Sequence, residues 1–138
     1  MITFETIAHF RERLRALMAY KRGVYSGAEY EIKSAFKSVP IEQIRQNRDM
    51  ILMQDDSIAI KLRLPDHRQR LSKKDGYRLI YLVSMIEERV AFLDIYPKRG
   101  PLQQLDIPDE ELLRLLSLYV QEGNNNQLQL FDFSLGIP

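Results

Sequence analysis

Two runs, Tyr77 to Val83 (YRLIYLV) and Val90 to Tyr96 (VAFLDIY), consist almost wholly of β-branched, aromatic and long aliphatic residues and are separated only by SMIEER. Such runs must be buried, and so short a polar link makes them adjacent central strands of a hairpin. A third segment precedes them. Ile58, Ile60, Leu62 and Leu64 alternate with Ser57, Ala59, Lys61 and Arg63, the period of a strand with one buried and one basic face, so Lys61 and Arg63 point the same way. With Pro97 stopping the last run, the centre of the fold is expected to be an antiparallel meander.

The flanking segments change period. Ile2 and Phe4 fit a short opening strand, and Phe10, Leu14, Leu17 and Met18 then recur at helical spacing up to about Gly23. Ser26 and Glu29 have capping-box spacing ahead of Ile32, Ala35 and Phe36, which predicts a second helix antiparallel to the first. Pro40 and Glu42 open a short helix through about Gln46, and Met50 to Met53 is an apolar run without a firm assignment. Beyond the PKRGP turn, Asp109, Glu110 and Glu111 suit the first turn of a helix whose Leu112, Leu113, Leu115, Leu116 and Tyr119 form a broad apolar face. Gly123 and Asn124 to Asn126 read as a break. The expectation is an α+β domain over residues 1 to 122, helices packed on the meander, with an extension over 123 to 138.

With 138 residues, the chain can bury one real core but not two. It has no Cys, hence no disulfide, thiolate metal site or Cys nucleophile, and its two imidazoles, His9 and His67, make a structural zinc site improbable. The first fifteen residues carry charges, and no run approaches the roughly 20 apolar residues a membrane span needs, so a cytoplasmic protein without membrane association is expected.

The formal net charge of +1 hides an uneven distribution. Residues 61 to 99 hold ten Lys/Arg against five Asp/Glu, leaving ten against fourteen elsewhere. In a meander, Lys61 and Arg63, then Arg78, then Lys98 and Arg99 converge. The segment DHRQRLSKKDG, expected to be a long mobile loop, adds His67, Arg68, Arg70, Lys73 and Lys74. Such a surface suits a phosphodiester backbone, with Tyr77 or Tyr96 offering an aromatic face to an unstacked base. Without a carboxylate cluster suited to Mg²⁺, a nuclease built here would use the RNA 2′-hydroxyl as nucleophile and no cofactor. Crowded cations would lower a lysine's pKa, and Lys61 is the expected general base.

Each of these residues also has a plain structural reading. The cations could serve solubility and protect a sheet edge. Arg78 could pair with Asp94, Tyr96 could be a half-buried residue with its hydroxyl in water, and His67 could be merely solvated. His9 reads as surface or helix-boundary decoration.

The segments IKLRLP, KKDGYRLIYLV and VAFLDIYPKRG, in this order and spacing, resemble the RelE/ParE superfamily of type II toxin-antitoxin toxins, most closely its RelE/HigB-like branch. The resemblance spans about residues 1 to 121 and implies a first strand, two helices, an antiparallel meander and a C-terminal helix. It further implies a ribosome-dependent mRNA endonuclease that needs no metal, held in check by a cognate antitoxin. Lys61, Arg78, Tyr96 and Lys98 then fall on catalytic positions, with Arg63, Arg99 and the loop residues His67, Arg68, Arg70, Lys73 and Lys74 contacting RNA. The chain departs from the pattern in three respects. Its charge is modest, it is longer, and residues 100 to 107 (GPLQQLDI) lack the tyrosine that other members carry there.

Two further readings stand beside this one: a ParE-like inhibitor of DNA gyrase, which shares the fold, and a non-catalytic interaction module. In the extension, Gln127, Leu128, Gln129, Leu130 and Phe131 (QLQLF) are similar to the short peptide by which bacterial proteins dock on the DNA-polymerase sliding clamp. Alternatively Leu128, Leu130, Phe131 and Phe133 fold back as an extra strand or cover an apolar patch.

Overall fold

The three β-rich segments pair in the register their patterning requires. In a computed structural model that describes residues 1–46, 50–54 and 56–133, β3 (Ser57–Leu64), β4 (Tyr77–Ser84) and β5 (Arg89–Pro97) form an antiparallel meander. Leu64 opposes Tyr77, Leu62 opposes Leu79 and Ile60 opposes Tyr81 on one face, while Arg63 opposes Arg78 on the other. The 50–53 run becomes β2 (Met50–Gln54), an edge strand antiparallel to β3. At the opposite side, β1 (Thr3–Thr6) runs parallel to β5, with Phe4 opposite Val90. A two-residue strand, β6 (Gln129–Leu130), pairs antiparallel with β1 and completes the order β2-β3-β4-β5-β1-β6. Among the described residues the architecture is therefore α+β, with a six-stranded mixed sheet.

Between β1 and β2 lie α1 (Ala8–Ala19), α2 (Ala28–Phe36) and α3 (Ile41–Arg45), and α4 (Asp109–Asn124) follows the meander. Helix α1 stops earlier than expected. Tyr20 is extended and Arg22 takes a left-handed conformation (φ 62°), so a short 3₁₀ turn occupies 21–23. The expected capping box is not formed: the Ser26 hydroxyl donates to the Gly23 carbonyl, and Glu29 pairs with Lys33 instead. The cap position of α2 falls on Gly27, so Ser26 stands one residue before it and no side chain caps the helix. The break expected at Gly123 also moves, because helix α4 runs through it to Asn124 and the left-handed residue is Asn126 (φ 57°). Among the described residues no helix is long and apolar enough to cross a membrane.

Phe92 organises the core. Fully buried on β5, it meets Phe4, Phe10, Phe36 and Phe131 at ring-centroid distances of 5.9, 5.3, 5.2 and 5.1 Å. These rings come from β1, α1, α2 and the extension, so one side chain draws four parts of the chain together. Edge-to-face and offset geometries at these separations add to the burial itself.

The extension thus folds back, the structural alternative expected for it. Phe131 N–H donates to the Phe4 carbonyl (2.9 Å), the Thr6 hydroxyl donates to the Gln129 carbonyl (2.9 Å), and Phe133 packs 4.7 Å from Phe4. Residues 134–138 of the extension lie outside the described residues. Phe92→Ala removes the shared partner of all four rings and should cost about 3–5 kcal/mol, read as a lower urea midpoint with an unchanged slope.

Candidate functional site

The face of the meander that carries Lys61 and Arg63 meets at one end of the sheet. There Arg63, Arg78 and Tyr96 form a cross-strand row, and Lys61, Ile80 and Asp94 the next. Lys98 follows immediately after β5, its N–H donating to the Gly76 carbonyl. The strand pairing, not proximity in sequence, therefore gathers Lys61, Arg63, Arg78, Tyr96 and Lys98. In this register Arg78 lies directly opposite Tyr96, with Asp94 on the next row of the same face. A bulge in the β4–β5 ladder puts Leu93 between the pairs formed by Phe92 and Asp94.

Arg78 is buried, and its guanidinium donates to the carbonyls of Lys73 (2.9 Å), Lys74 (2.9 Å) and Tyr77 (3.2 Å). These bonds hold the basic loop against the sheet, so the expectation of a mobile loop is corrected. The loop has other anchors. Asp66, itself buried, accepts from the Tyr77 hydroxyl (2.8 Å) and from both the backbone and the side chain of Gln69. His67 donates its N–H to the buried Glu31 (2.7 Å), and its Nδ1 lies 2.9 Å from the same carboxylate, so it is held rather than merely solvated. Arg68 Nε donates to the Gly23 carbonyl. Gly76 closes the loop where a Cβ would come within 2.1 Å of the Leu64 carbonyl oxygen, which excludes any side chain. Arg70 (φ 59°), Lys73 and Lys74 present exposed side chains along this loop, and Arg99 pairs with Asp75 at 2.7 Å.

Neither expected stacking platform is open. Tyr77 and Tyr96 are both buried, which corrects both the stacking reading and the reading of Tyr96 as half-buried with a wet hydroxyl. Burial pushes both phenols above their ordinary pKa. For Tyr77 the bond to Asp66 adds to the effect, for Tyr96 the field of Asp106. The Tyr96 hydroxyl has no hydrogen-bond partner. A buried polar group in that state costs free energy and calls for an explanation.

The segment after β5 supplies what the sequence concealed. Lys61 Nζ donates to Asp106 Oδ1 at 2.8 Å, and Lys98 Nζ donates to the Leu105 carbonyl. Gln104 is tied on both sides: its N–H donates to the Pro97 carbonyl, and its side-chain oxygen accepts from Arg13 (2.8 Å). Residues 103–106 thus lie across the basic cluster. Burial lowers the pKa of Lys98, and the nearby Arg78, Lys61 and Arg99 lower it further against the opposing pull of Asp106. Lys61 is in an ion pair with Asp106.

A second charged group lies beside α1. His9 Nε2 approaches Asp94 Oδ1 at 3.2 Å and Arg13 Nε approaches the same oxygen at 3.4 Å, while Arg114 clamps Glu111 at 2.8 and 2.7 Å. His9 is therefore a contact to the sheet, not decoration. His9, Asp94 and Glu111 place ligand atoms within 4.8 Å of one another, a juxtaposition the sequence did not suggest. Arg13 and Arg114 already pair with the two carboxylates, which opposes a further cation there.

In the extension, Leu130 is exposed and Phe131 is partly buried among Phe92, Phe10 and Phe133. Gln127 N–H donates to the Glu122 carbonyl, and Leu128 lies over Gly123. Comparison with models of known protein families and with the curated proteins finds nothing that matches this chain.

The hydrogen bond from Lys61 holds the Asp106 carboxyl below the usual carboxylate range, with its own bond to the Ile107 N–H adding to this. A lowered folded-state pKa contributes stability above the unfolded value and loses it as pH falls through the folded one. Carboxyl-carbon NMR should place the Asp106 midpoint below that of an ordinary aspartate, and Lys61→Met should move it upward.

Proposed function

We propose that this chain is the toxin of a type II toxin-antitoxin pair, a RelE-like endonuclease that cuts mRNA on the ribosome without a metal and is neutralised by a cognate antitoxin in the cytoplasm. The observation that carries the reading is the convergence of Lys61, Arg63, Arg78 and Lys98 at one end of the sheet, with the Lys98 pKa lowered there. The element order supports it as well: a strand, two helices, a meander and a terminal helix match the layout that the motifs imply, with α3, β2 and β6 as additions.

The chemistry follows from the placement. The neutral form of Lys98, which its surroundings favour, takes the proton of a ribose 2′-hydroxyl, and that oxygen attacks the adjacent phosphorus. The bond from phosphorus to the 5′-oxygen breaks, leaving a 2′,3′-cyclic phosphate, while the Lys61 ammonium returns a proton to the departing oxygen. Arg63 and Arg78 stabilise the charge gathered on the phosphorane oxygens. The exposed loop residues Arg68, Arg70, Lys73 and Lys74, with His67 and Arg99, follow the flanking backbone.

A non-catalytic binding role, gyrase inhibition included, is favoured by a different observation, the burial of both tyrosines and the pairing of Lys61 with Asp106. Inducible expression without a partner gene, with mapping of new 5′ ends on translated mRNAs, separates the two. Codon-phased cuts should appear with the wild type and fall by about 10²–10⁴-fold in Lys98→Ala, the range of a lost general base. Growth arrest with intact mRNA would instead establish the non-catalytic role.

A further inference from the structure

Residues 103–106 cross the basic cluster without apolar anchoring. Leu105 is 77% exposed, and the Asp106 side chain 66%. What holds them is polar: Lys61 to Asp106, Lys98 to the Leu105 carbonyl, Arg13 to Gln104, and the Gln104 backbone to Pro97. Their flanks are fixed differently. On the N-terminal side the Tyr25 hydroxyl donates to the Arg99 carbonyl (2.9 Å) and accepts from Leu102 N–H (2.9 Å). It stands so close to Gly100 (φ 90°) that a Cβ there would lie 2.5 Å from it. On the C-terminal side Ile107 is buried and Pro108 leads into α4. A short tethered segment between two fixed points, held by solvent-accessible polar contacts, opens at small cost.

Beneath it the Tyr96 hydroxyl is fully buried and unpartnered. The segment satisfies Lys61 and Lys98 but leaves this donor empty. A phosphodiester carries acceptor oxygens on several sides and could serve all three groups at once.

We infer that residues 103–106 form an autoinhibitory strap whose Asp106 carboxylate occupies the place of an RNA phosphate on Lys61, and that RNA enters by displacing it and engaging Lys98 and the Tyr96 hydroxyl. This rests on the proposed RNA-directed reading and specifies how that site is regulated. Opening exchanges one anion for another on Lys61, so its net cost is small. With the strap closed most of the time, the apparent affinity for RNA falls by the fraction of molecules that are open.

The test measures binding apart from cutting. Fluorescence anisotropy with a 2′-O-methyl oligoribonucleotide, which cannot be cleaved through the 2′-oxygen, compares wild type with Asp106→Asn, Gln104→Ala and Glu110→Gln. Asp106→Asn removes the charge that stands in for the phosphate while keeping the side chain's shape, and Gln104→Ala loosens the strap without altering charge. Glu110→Gln, in the first turn of α4, controls for net charge. Both strap variants should bind about tenfold tighter, as expected if about nine molecules in ten are closed, and the control should stay within about twofold of wild type. Adding Lys61→Ala to Asp106→Asn should abolish the gain. Equal gains in Asp106→Asn and the control, or no gain in Gln104→Ala with its melting temperature unchanged, overturn the strap. Cleavage of the matching unmodified RNA on ribosomes is read in parallel. Tighter binding with no cutting by any variant keeps the strap and removes the endonuclease reading, whereas cutting by wild type with no gain in either strap variant removes the strap alone.

Discussion

Burying a guanidinium costs free energy unless its donors find acceptors, and Arg78 finds them in the carbonyls of Lys73, Lys74 and Tyr77. That choice has consequences in three directions. It turns the end of the basic loop toward the sheet, so that a polar, charged segment is held in place instead of ranging through solvent. It leaves the positive charge of Arg78 beside Tyr96 and Lys98, where it contributes to lowering the Lys98 pKa. On the same face the carboxylate of Asp94 meets His9 and Arg13 of α1, which fastens that helix to the neighbouring strand, and the third consequence is that Arg78 and Asp94 occupy successive rows of one charged surface.

The same end of the sheet shows how a chain of nearly neutral charge concentrates cations without destabilising itself. Self-repulsion among Lys61, Arg78, Lys98 and Arg99 is relieved locally by Asp106, the Leu105 carbonyl and Asp75. The counter-charges lie outside the meander, on exposed segments, so the cations are balanced in the closed form and still within reach of a competing anion. Further along β5, Phe92 and its four aromatic neighbours fix that strand against β1, α1, α2 and the extension.

Much of the fold was legible because it depends on local period. The strands of the meander, α2, α4 and the short helix after Pro40 emerge within a residue or two of their expected bounds, since burying one face demands a fixed spacing, whereas α1 ends at Ala19 instead of near Gly23. The failures lie at helix ends and in the basic loop. Ser26 was expected to cap α2, but the helix starts one residue later, with Gly27 at its cap position. Gly123 could end a helix, yet α4 continues to Asn124. The loop after Pro65 is rich in polar residues, a composition shared by mobile and pinned loops alike, and only Asp66, His67 and Arg78 finding partners across the fold decide which it is.

The sequence alone determined that a basic and an apolar face would alternate on one strand, with Lys61 and Arg63 on the same side, because strand geometry alternates side chains regardless of context. Tertiary structure alone decided that Asp106, forty-five residues after Lys61, neutralises it. It also decided that Tyr96 is sealed with its hydroxyl unpartnered among the described residues, and that the pKa of Lys98 is lowered. Charge balance and desolvation depend on distances in space, and segments joined by long connections carry no periodic trace of where they will meet.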